Sequence, residues 1–303
     1  MKVLFIGCGD IGVRAIRALP SGSPGRAWQA QAMRRNPLAL PADIDATRGD
    51  LCNIRDLLAV LGKSSVDAVV VTLTPDHMSD QGYCDSYVAG ARALKLALSK
   101  SENPPRLVVW VSSSGVYGQT NGEWVDELSG VAPTSFRGKR LLEAEKIISS
   151  LSTEPLFSED RRIKPLVVRF SGIYGPGRNR LIHQIKQGNI AAKEPTAWTN
   201  RIHSEDCARV IVHLLGRYAQ NKPLENLYLA TDDEPVSAYE MQRWLAKQMG
   251  VCILDGSDDK KNRRSAEFSN RRCSNKLLIQ SGYKFFFPTF REGYLPLLKN
   301  EQK

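Results

Sequence analysis

One stretch, Val3-Leu4-Phe5-Ile6-Gly7-Cys8-Gly9-Asp10-Ile11-Gly12, constrains the fold of this chain more than any other. A short apolar run suited to a buried strand passes straight into G-x-G-x-x-G, and a segment with helical periodicity follows. Each glycine has its own reason. Gly7 permits the tight turn off the strand, Gly9 lets backbone amides approach a pyrophosphate, and Gly12 allows close packing of helix on strand. The helix N-terminus, with Asp10 and Ile11 in its first turn, turns unpaired N–H groups and a positive dipole end toward the anion. Val13, Ile16 and Leu19 supply an apolar stripe before Pro20 stops the helix. The motif alone is weakly specific, and an ordinary glycine-bearing strand-to-helix turn is its alternative.

The pattern continues downstream. Strands are predicted at Val3–Ile6, Gln29–Met33, Ala68–Leu73, Leu107–Val111 and Pro165–Phe170, most of them continuous apolar runs of the kind buried on both faces. Tyr87–Leu98 reads as a helix with Val88, Ala91, Leu94 and Leu98 on one face. Such alternation predicts an α/β fold with a doubly wound parallel Rossmann-type sheet. After Tyr174 the character changes, beginning with the turn Gly175-Pro176-Gly177. A helix is expected from an N-cap at Ser204 through Leu215, with Glu205 and Asp206 in its first turn. Leu227–Ala230 reads as a strand, Tyr239–Met249 as an amphipathic helix ended by Gly250, and Leu277-Leu278 as part of a short helix before the aromatic run Phe285–Phe287. The expected division is a nucleotide-binding domain over residues 1–175, completed by about 200–231, and a smaller mixed substrate lobe of 176–199 and 232–303.

Composition narrows the functional classes. With 42% apolar and 24% charged residues the chain reads as a soluble globular protein, and no apolar run is long enough to cross a bilayer. The opening Met-Lys enters a strand rather than a signal peptide, so a cytoplasmic location is expected. Six scattered cysteines without C-x-x-C and four histidines without H-E-x-x-H predict no metal site. The net charge of +10 draws on Lys260, Lys261, Arg263, Arg264, Arg271, Arg272 and Lys276, diluted by Asp255, Asp258, Asp259 and Glu267. A solvated basic loop is preferred there to a nucleic-acid surface.

Four later segments carry a resemblance. They are Val111-Ser112-Ser113-Ser114-Gly115-Val116-Tyr117-Gly118, Arg169-Phe170-Ser171-Gly172-Ile173-Tyr174-Gly175-Pro176-Gly177-Arg178, Asn200-Arg201-Ile202-His203-Ser204-Glu205-Asp206, and Thr231-Asp232-Asp233-Glu234-Pro235. In order and spacing they resemble the extended short-chain dehydrogenase/reductase family of nucleotide-sugar epimerases and dehydratases, and the tail from Ser274 resembles an atypical bacterial subgroup. The resemblance implies a nicotinamide dinucleotide and a small-molecule substrate, nucleotide-sugar-like or a simple carbonyl or hydroxyl compound. A homodimer through two sheet-flanking helices is compatible with it. Beyond the glycine turn, Asp50, Leu51, Thr72 and Ser112 are the cofactor contacts it implies. NAD-binding versions of the fold carry an acid after the second strand, but Met33-Arg34-Arg35-Asn36 stands here. Two guanidinium groups suit a 2′-phosphate, so NADP is expected over NAD, with a pair of exposed loop arginines as the alternative.

Catalysis reads differently. Family enzymes use Y-x-x-x-K, a phenol that moves a proton at the substrate oxygen and a lysine that lowers its pKa and binds ribose, with a nearby hydroxyl orienting the substrate. Ser113 matches that hydroxyl, but Phe136 and Arg140 occupy the places of tyrosine and lysine. Shifting by one residue brings Lys139 into register and leaves Ser135 at the tyrosine place. Arg140 can bind ribose or phosphate oxygens but stays protonated. Tyr117 and Tyr174 are the nearest phenols in sequence to substitute, each also explicable by packing, and His203 is expected to pack or cap. The expectation is an NADP-binding epimerase/dehydratase-like oxidoreductase with a degenerate dyad. An NADP(H)-sensing protein that binds a partner is the alternative, and RNA binding a weaker third.

Overall fold

A parallel sheet covered by helices needs side chains that are apolar on both faces, and the strands formed here have that composition. The computed structural model describes residues 1–21, 27–63, 65–153, 162–253 and 270–300. The elements begin with β1 (Lys2–Ile6), α1 (Asp10–Arg17), β2 (Gln29–Arg34), β3 (Ala46–Arg48), α2 (Ile54–Lys63) and β4 (Ala68–Val71). Then come α3 (Asp80–Tyr83), α4 (Ala89–Lys100), β5 (Leu107–Ser113), β6 (Glu123–Val125), α5 (Phe136–Ser149), β7 (Lys164–Phe170), β8 (Gly172–Tyr174) and α6 (Arg180–Lys186). The chain continues through β9 (Trp198–Thr199), β10 (Arg201–His203), α7 (Ser204–Ala219), β11 (Leu227–Ala230), β12 (Val236–Ser237), α8 (Ala238–Gln248), β13 (Arg271–Cys273), α9 (Lys276–Gln280) and α10 (Phe290–Asn300).

The main sheet is parallel and seven-stranded, in the order β11-β7-β5-β4-β1-β2-β3, which is the doubly wound Rossmann-type arrangement expected. Strand order reverses between β1 and β4, whose register pairs Ile6 with Val71. Ligands of such sheets bind beyond the carboxyl ends of the strands at that reversal. Gly7 and Thr72 follow those two strands directly.

Local departures from the sequence reading have identifiable causes. The strand from Ala68 stops at Val71, so Thr72 and Leu73 belong to the loop beyond. The helix expected from Tyr87 starts earlier, as α3, and passes through a π-turn at Cys84–Val88 before α4. Its predicted face is right, for Val88, Ala91, Leu94 and Leu98 are all fully buried. On α1 the buried residues are Ile11, Gly12 and Ala15, with Val13, Ile16 and Leu19 only half-buried. Small side chains let this helix lie close on the strands, so the bulkier stripe is turned aside.

Two compact units are present. The first comprises Met1–Val116, Pro133–Arg169 and Ala208–Tyr228; the second comprises Tyr117–Ala132, Phe170–Cys207 and Leu229–Lys303. In the second unit β8 pairs with β10 and β6 with β13 in parallel, while β9 and β12 are antiparallel. Its core gathers Tyr174, Ile182, Ile185, Met241, Leu245, Phe290 and Tyr294. Asp206 fixes the aromatic run by accepting hydrogen bonds from the Tyr283 hydroxyl (2.7 Å) and the Phe286 and Phe287 amides (2.8 and 2.9 Å). No helix among the described residues is long and apolar enough to cross a membrane. The basic cluster at Lys260, Lys261, Arg263 and Arg264 lies outside the described residues.

Candidate functional site

The three glycines of the turn are required for different reasons, and the geometry separates them. Gly7 has φ +71°, and a Cβ there would lie 2.8 Å from the Thr72 carbonyl oxygen and 2.8 Å from the Leu73 side chain. A Cβ on Gly12 would meet Cys8 Sγ at 2.7 Å and Thr72 Oγ1 at 3.3 Å, so this glycine seats α1 on the strands. Gly9 is unlike both. Its φ of −107° suits any residue, and the nearest atom to a Cβ would be the Gly7 carbonyl oxygen at 3.9 Å. Nothing among the described residues demands glycine at position 9. The missing side chain instead keeps open the approach to the N-terminus of α1, which takes no side-chain cap. The residues present therefore fit a pyrophosphate. Asp10 is paired with Arg14 at 2.7 Å, Ile11 is buried, and burial pushes the Cys8 thiol up to about 11, which keeps it neutral beneath the turn.

Of the other residues singled out in the first unit, Thr72 and Arg34 touch this turn and the rest have their partners elsewhere. Thr72 donates from its amide to Ile6 O (2.9 Å) and from its hydroxyl to Gly7 O (3.4 Å), tying β4 to the turn. Arg34, at the end of β2, reaches Cys8 O at 3.5 Å. Arg35 turns the other way and meets Asp76 through two parallel bonds of 2.6 and 2.5 Å. Asp50 Oδ1 accepts from the Cys52 amide at 2.9 Å, as a turn aspartate does, and Leu51 is buried under α4, where its side chain approaches Gly90. Ser112 is buried and donates to Glu145 at 2.5 Å; Glu145 in turn holds Arg169 at 2.7 Å in a buried ion pair.

At the end of β5 the Ser113 hydroxyl oxygen accepts from the Gly115 amide at 3.1 Å and is half-exposed. Ser135 caps α5 by accepting from the Gly138 amide at 3.2 Å, so Phe136 is the first helical residue. The Phe136 ring meets Tyr83 edge-on at 5.7 Å. Arg140, one turn on, is bound to Asp80 at 2.8 and 3.0 Å and to Glu143 at 2.9 Å. Those two carboxylates raise its pKa further, so it holds charge and does not move protons. Sequence reasoning missed Asp76, Asp80, Tyr83 and Glu145, none of which lies in a recognisable motif.

The phenols named as substitutes belong to the second unit and are committed within it. Tyr117 is buried and donates to Asp126 O at 2.7 Å. Tyr174 is stacked on Tyr294 at 4.5 Å and donates to Thr289 O at 3.4 Å. Burial, then the charge of Asp232, pushes the Tyr174 pKa well above the ordinary phenol range. A phenol so placed resists giving up its proton. His203 Nδ1 accepts from the Glu205 amide at 3.1 Å, so the histidine caps α7 and the expected Ser204 cap is corrected; Ser204 begins the helix and its buried hydroxyl has no hydrogen-bond partner among the described residues. No group of metal ligands occurs among the described residues.

The profile of the NAD dependent epimerase/dehydratase family matches residues 9–230, more than half of the chain. A protein from Methylobacillus flagellatus, provisionally assigned as an NAD-dependent epimerase/dehydratase, has a similar structure with a TM-score of 0.78 at 31% identity, covering 100% of this chain and 99% of its own. UDP-N-acetylglucosamine 4-epimerase from Bacillus cereus gives a TM-score of 0.73 at 15% identity, covering 100% of both chains. MoeE5, solved with UDP-glucuronic acid and NAD, gives 0.76 at 20% identity, again covering 100% of both. The latter two likenesses are of fold alone. A search of curated proteins found no match.

Proposed function

The chain belongs to the NAD-dependent epimerase/dehydratase family, and from that premise we propose that it binds NADP(H) at the glycine turn and acts as an oxidoreductase of the epimerase/dehydratase kind. The observation that carries this reading is Gly9, whose lack of a side chain serves no contact among the described residues and opens the turn to an anion. Gly7, Gly9 and Gly12 with the first turn at Asp10 and Ile11 would hold the pyrophosphate. Arg34 and Arg35 would take the 2′-phosphate, while Asp50, Leu51, Thr72 and Ser112 line the family's adenosine and ribose positions. When bound, the cofactor supplies hydride transfer. The substrate proposed is nucleotide-sugar-like or a small carbonyl or hydroxyl compound, with the second unit as the substrate lobe. Ser113, its hydroxyl proton available beside the Gly115 contact, orients the substrate oxygen, and Arg140, its charge already matched by Asp80 and Glu143, offers N–H donors without acting as a base.

General acid–base assistance is typically worth about 10²–10⁴-fold, so a site with Phe136 in the phenol's place is a slow one. Titrating the purified chain with NADPH and NADH, followed by cofactor fluorescence, tests the first half of the proposal; saturable binding with NADPH preferred is expected, and absence of binding to both would overturn it. Nucleotide sugars with NADP⁺, followed by cofactor reduction and by analysis of the product sugar for redox-neutral turnover, and carbonyl compounds with NADPH, followed by its oxidation, test the second half; turnover of one class is expected, and none across both panels would overturn it. One observation favours a second reading. Arg140 is held by Asp80 and Glu143 beside Phe136, an arrangement that suits an NADP(H)-sensing protein acting through a partner. A partner pull-down that differs between NADPH and NADP⁺ supports sensing, and one indifferent to redox state refutes it.

A further inference from the structure

We propose that Asp76 is an internal occupant of the Arg35 guanidinium and sets how strongly this chain discriminates NADP from NAD. A 2′-phosphate must displace this carboxylate, whereas a cofactor lacking the phosphate leaves it in place. The inference rests on the dinucleotide reading above.

Arg35 and Asp76 meet fork to fork, Nη1 on Oδ2 at 2.6 Å and Nη2 on Oδ1 at 2.5 Å. This is the geometry in which arginine grips a phosphate, so one edge of the guanidinium cannot serve both anions. Arg34 is not drawn into the pair, since it leans on Cys8 O. Asp76 stands on the segment between Thr72 and α3, which leaves β4 beside the glycine turn and so can reach the end of β2. The far end of the same segment is pinned, because Asp80 accepts two bonds from Arg140. A displaced Asp76 thus stays nearby as a tethered competitor of high effective concentration.

Both partners are about half-exposed, at 59% and 49%. Exposed ion pairs shift an equilibrium by roughly fivefold at most, so the pair is breakable by a phosphate of nearly double charge. Its carboxylate also repels that phosphate, and competition and repulsion act in the same direction. Asp50 adds a second acid near Arg35, but its Oδ1 is engaged by the Cys52 amide and it makes no fork with the guanidinium.

The test measures binding of NADPH and NADH by fluorescence, with 2′,5′-ADP and 5′-AMP as competitors, on the wild type, Asp76→Asn, Asp76→Ser and Arg35→Gln. Both Asp76 variants should bind NADPH and 2′,5′-ADP about three- to tenfold more tightly, with NADH and 5′-AMP within twofold of wild type. Adding Asp76→Asn to Arg35→Gln should then give a smaller gain than in the wild type, the share due to repulsion alone, and a gain of equal size would show that occupation of Arg35 contributes nothing. Equal affinities of wild type and Asp76 variants for NADPH, or an equal gain for NADH, would overturn the proposal while leaving the dinucleotide site intact. A wild type that binds neither dinucleotide refutes the site itself, and the proposal with it.

Discussion

Replacing Gly9 by alanine should destroy dinucleotide binding and spare the fold, whereas replacing Gly7 should do the reverse damage first. At position 9 the backbone is in an ordinary region and a methyl group finds its nearest neighbour at 3.9 Å. Losing glycine at a helix N-cap is mildly unfavourable, and the stiffer unfolded chain offsets about 0.4–1 kcal/mol of that. The expected net change in stability is within about 1 kcal/mol. On the ligand side the methyl group stands between the pyrophosphate and the amides of α1. Two charge-assisted hydrogen bonds at roughly 1.5 kcal/mol each amount to about 3 kcal/mol, or a ~100-fold loss of affinity. Gly7→Ala instead places a Cβ 2.8 Å from the Thr72 main-chain oxygen at φ +71°. The left-handed backbone costs about 1–2 kcal/mol and the overpacking a further 1–3 kcal/mol. At roughly 2–4 °C per kcal/mol, the melting temperature of Gly7→Ala should fall by about 4–20 °C and that of Gly9→Ala by less than about 4 °C. Thermal melts and NADPH fluorescence titrations of the two variants decide the matter. If Gly9→Ala binds NADPH within threefold of wild type, or melts as early as Gly7→Ala, the reasoning from the empty Cβ position is wrong.

Two further outcomes follow from buried charge. Asp232 is buried with no partner for Oδ2 among the described residues, and desolvation raises its pKa well above the ordinary carboxylate value; Glu234 and Asp233 add to the rise, while the Glu234 amide and Arg201 oppose it. Its folded pKa is raised, so stability is greatest below the unfolded value near 4 and declines as pH climbs toward the folded one. Asp232→Asn should therefore gain in melting temperature relative to wild type as pH rises from about 4 to 8; a constant difference across that range would contradict it. The Glu145–Arg169 pair gives a stability effect of another kind. Glu145→Gln strands a buried guanidinium and should lose about 3–5 kcal/mol in urea unfolding, while the double change Glu145→Met with Arg169→Met should lose far less. Equal losses would show that the charges themselves stabilise the fold.

The parts of the molecule legible in the sequence are those built from local patterns. Val3–Ile6, Val69–Val71 and Leu107–Trp110 announce buried strands because each run is apolar throughout. Gly250 ends α8 as a left-handed stop should, while its hydroxyl cap at Ser237, one residue before the helix begins, lay outside the expected span. The glycine turn was readable for the same reason, although only the Cβ environments separate Gly9 from its neighbours. What escaped is non-local. Asp76 and Arg35 are 41 residues apart, Asp80 and Arg140 are 60 apart, and Ser112 finds Glu145 across 33, all without a spacing rule. Tyr117 and Tyr174 were plausible proton donors in sequence because a phenol there carries no mark of the carbonyl that will bind it. The stripe on α1 misled for a steric reason, since Gly12 and Ala15 bring the helix closer than leucine and isoleucine would.

The π-turn at Cys84–Val88 has a consequence for how this chain tolerates changes of length. There the Ala89 amide reaches back five residues, to Cys84 O, so one residue more than an α-helix needs is wound into the turn. A single deletion within it would let α3 and α4 join as one regular helix, and the backbone would accept that. The residues before it would nonetheless swing by about 100° around the axis. Tyr83 would leave the edge of Phe136 and Asp80 would leave Arg140, although neither had been altered. In relatives of this chain, a residue lost between positions 84 and 88 should travel with replacements at 80, 83, 136 and 140, for the turn sets the phase in which those four side chains meet.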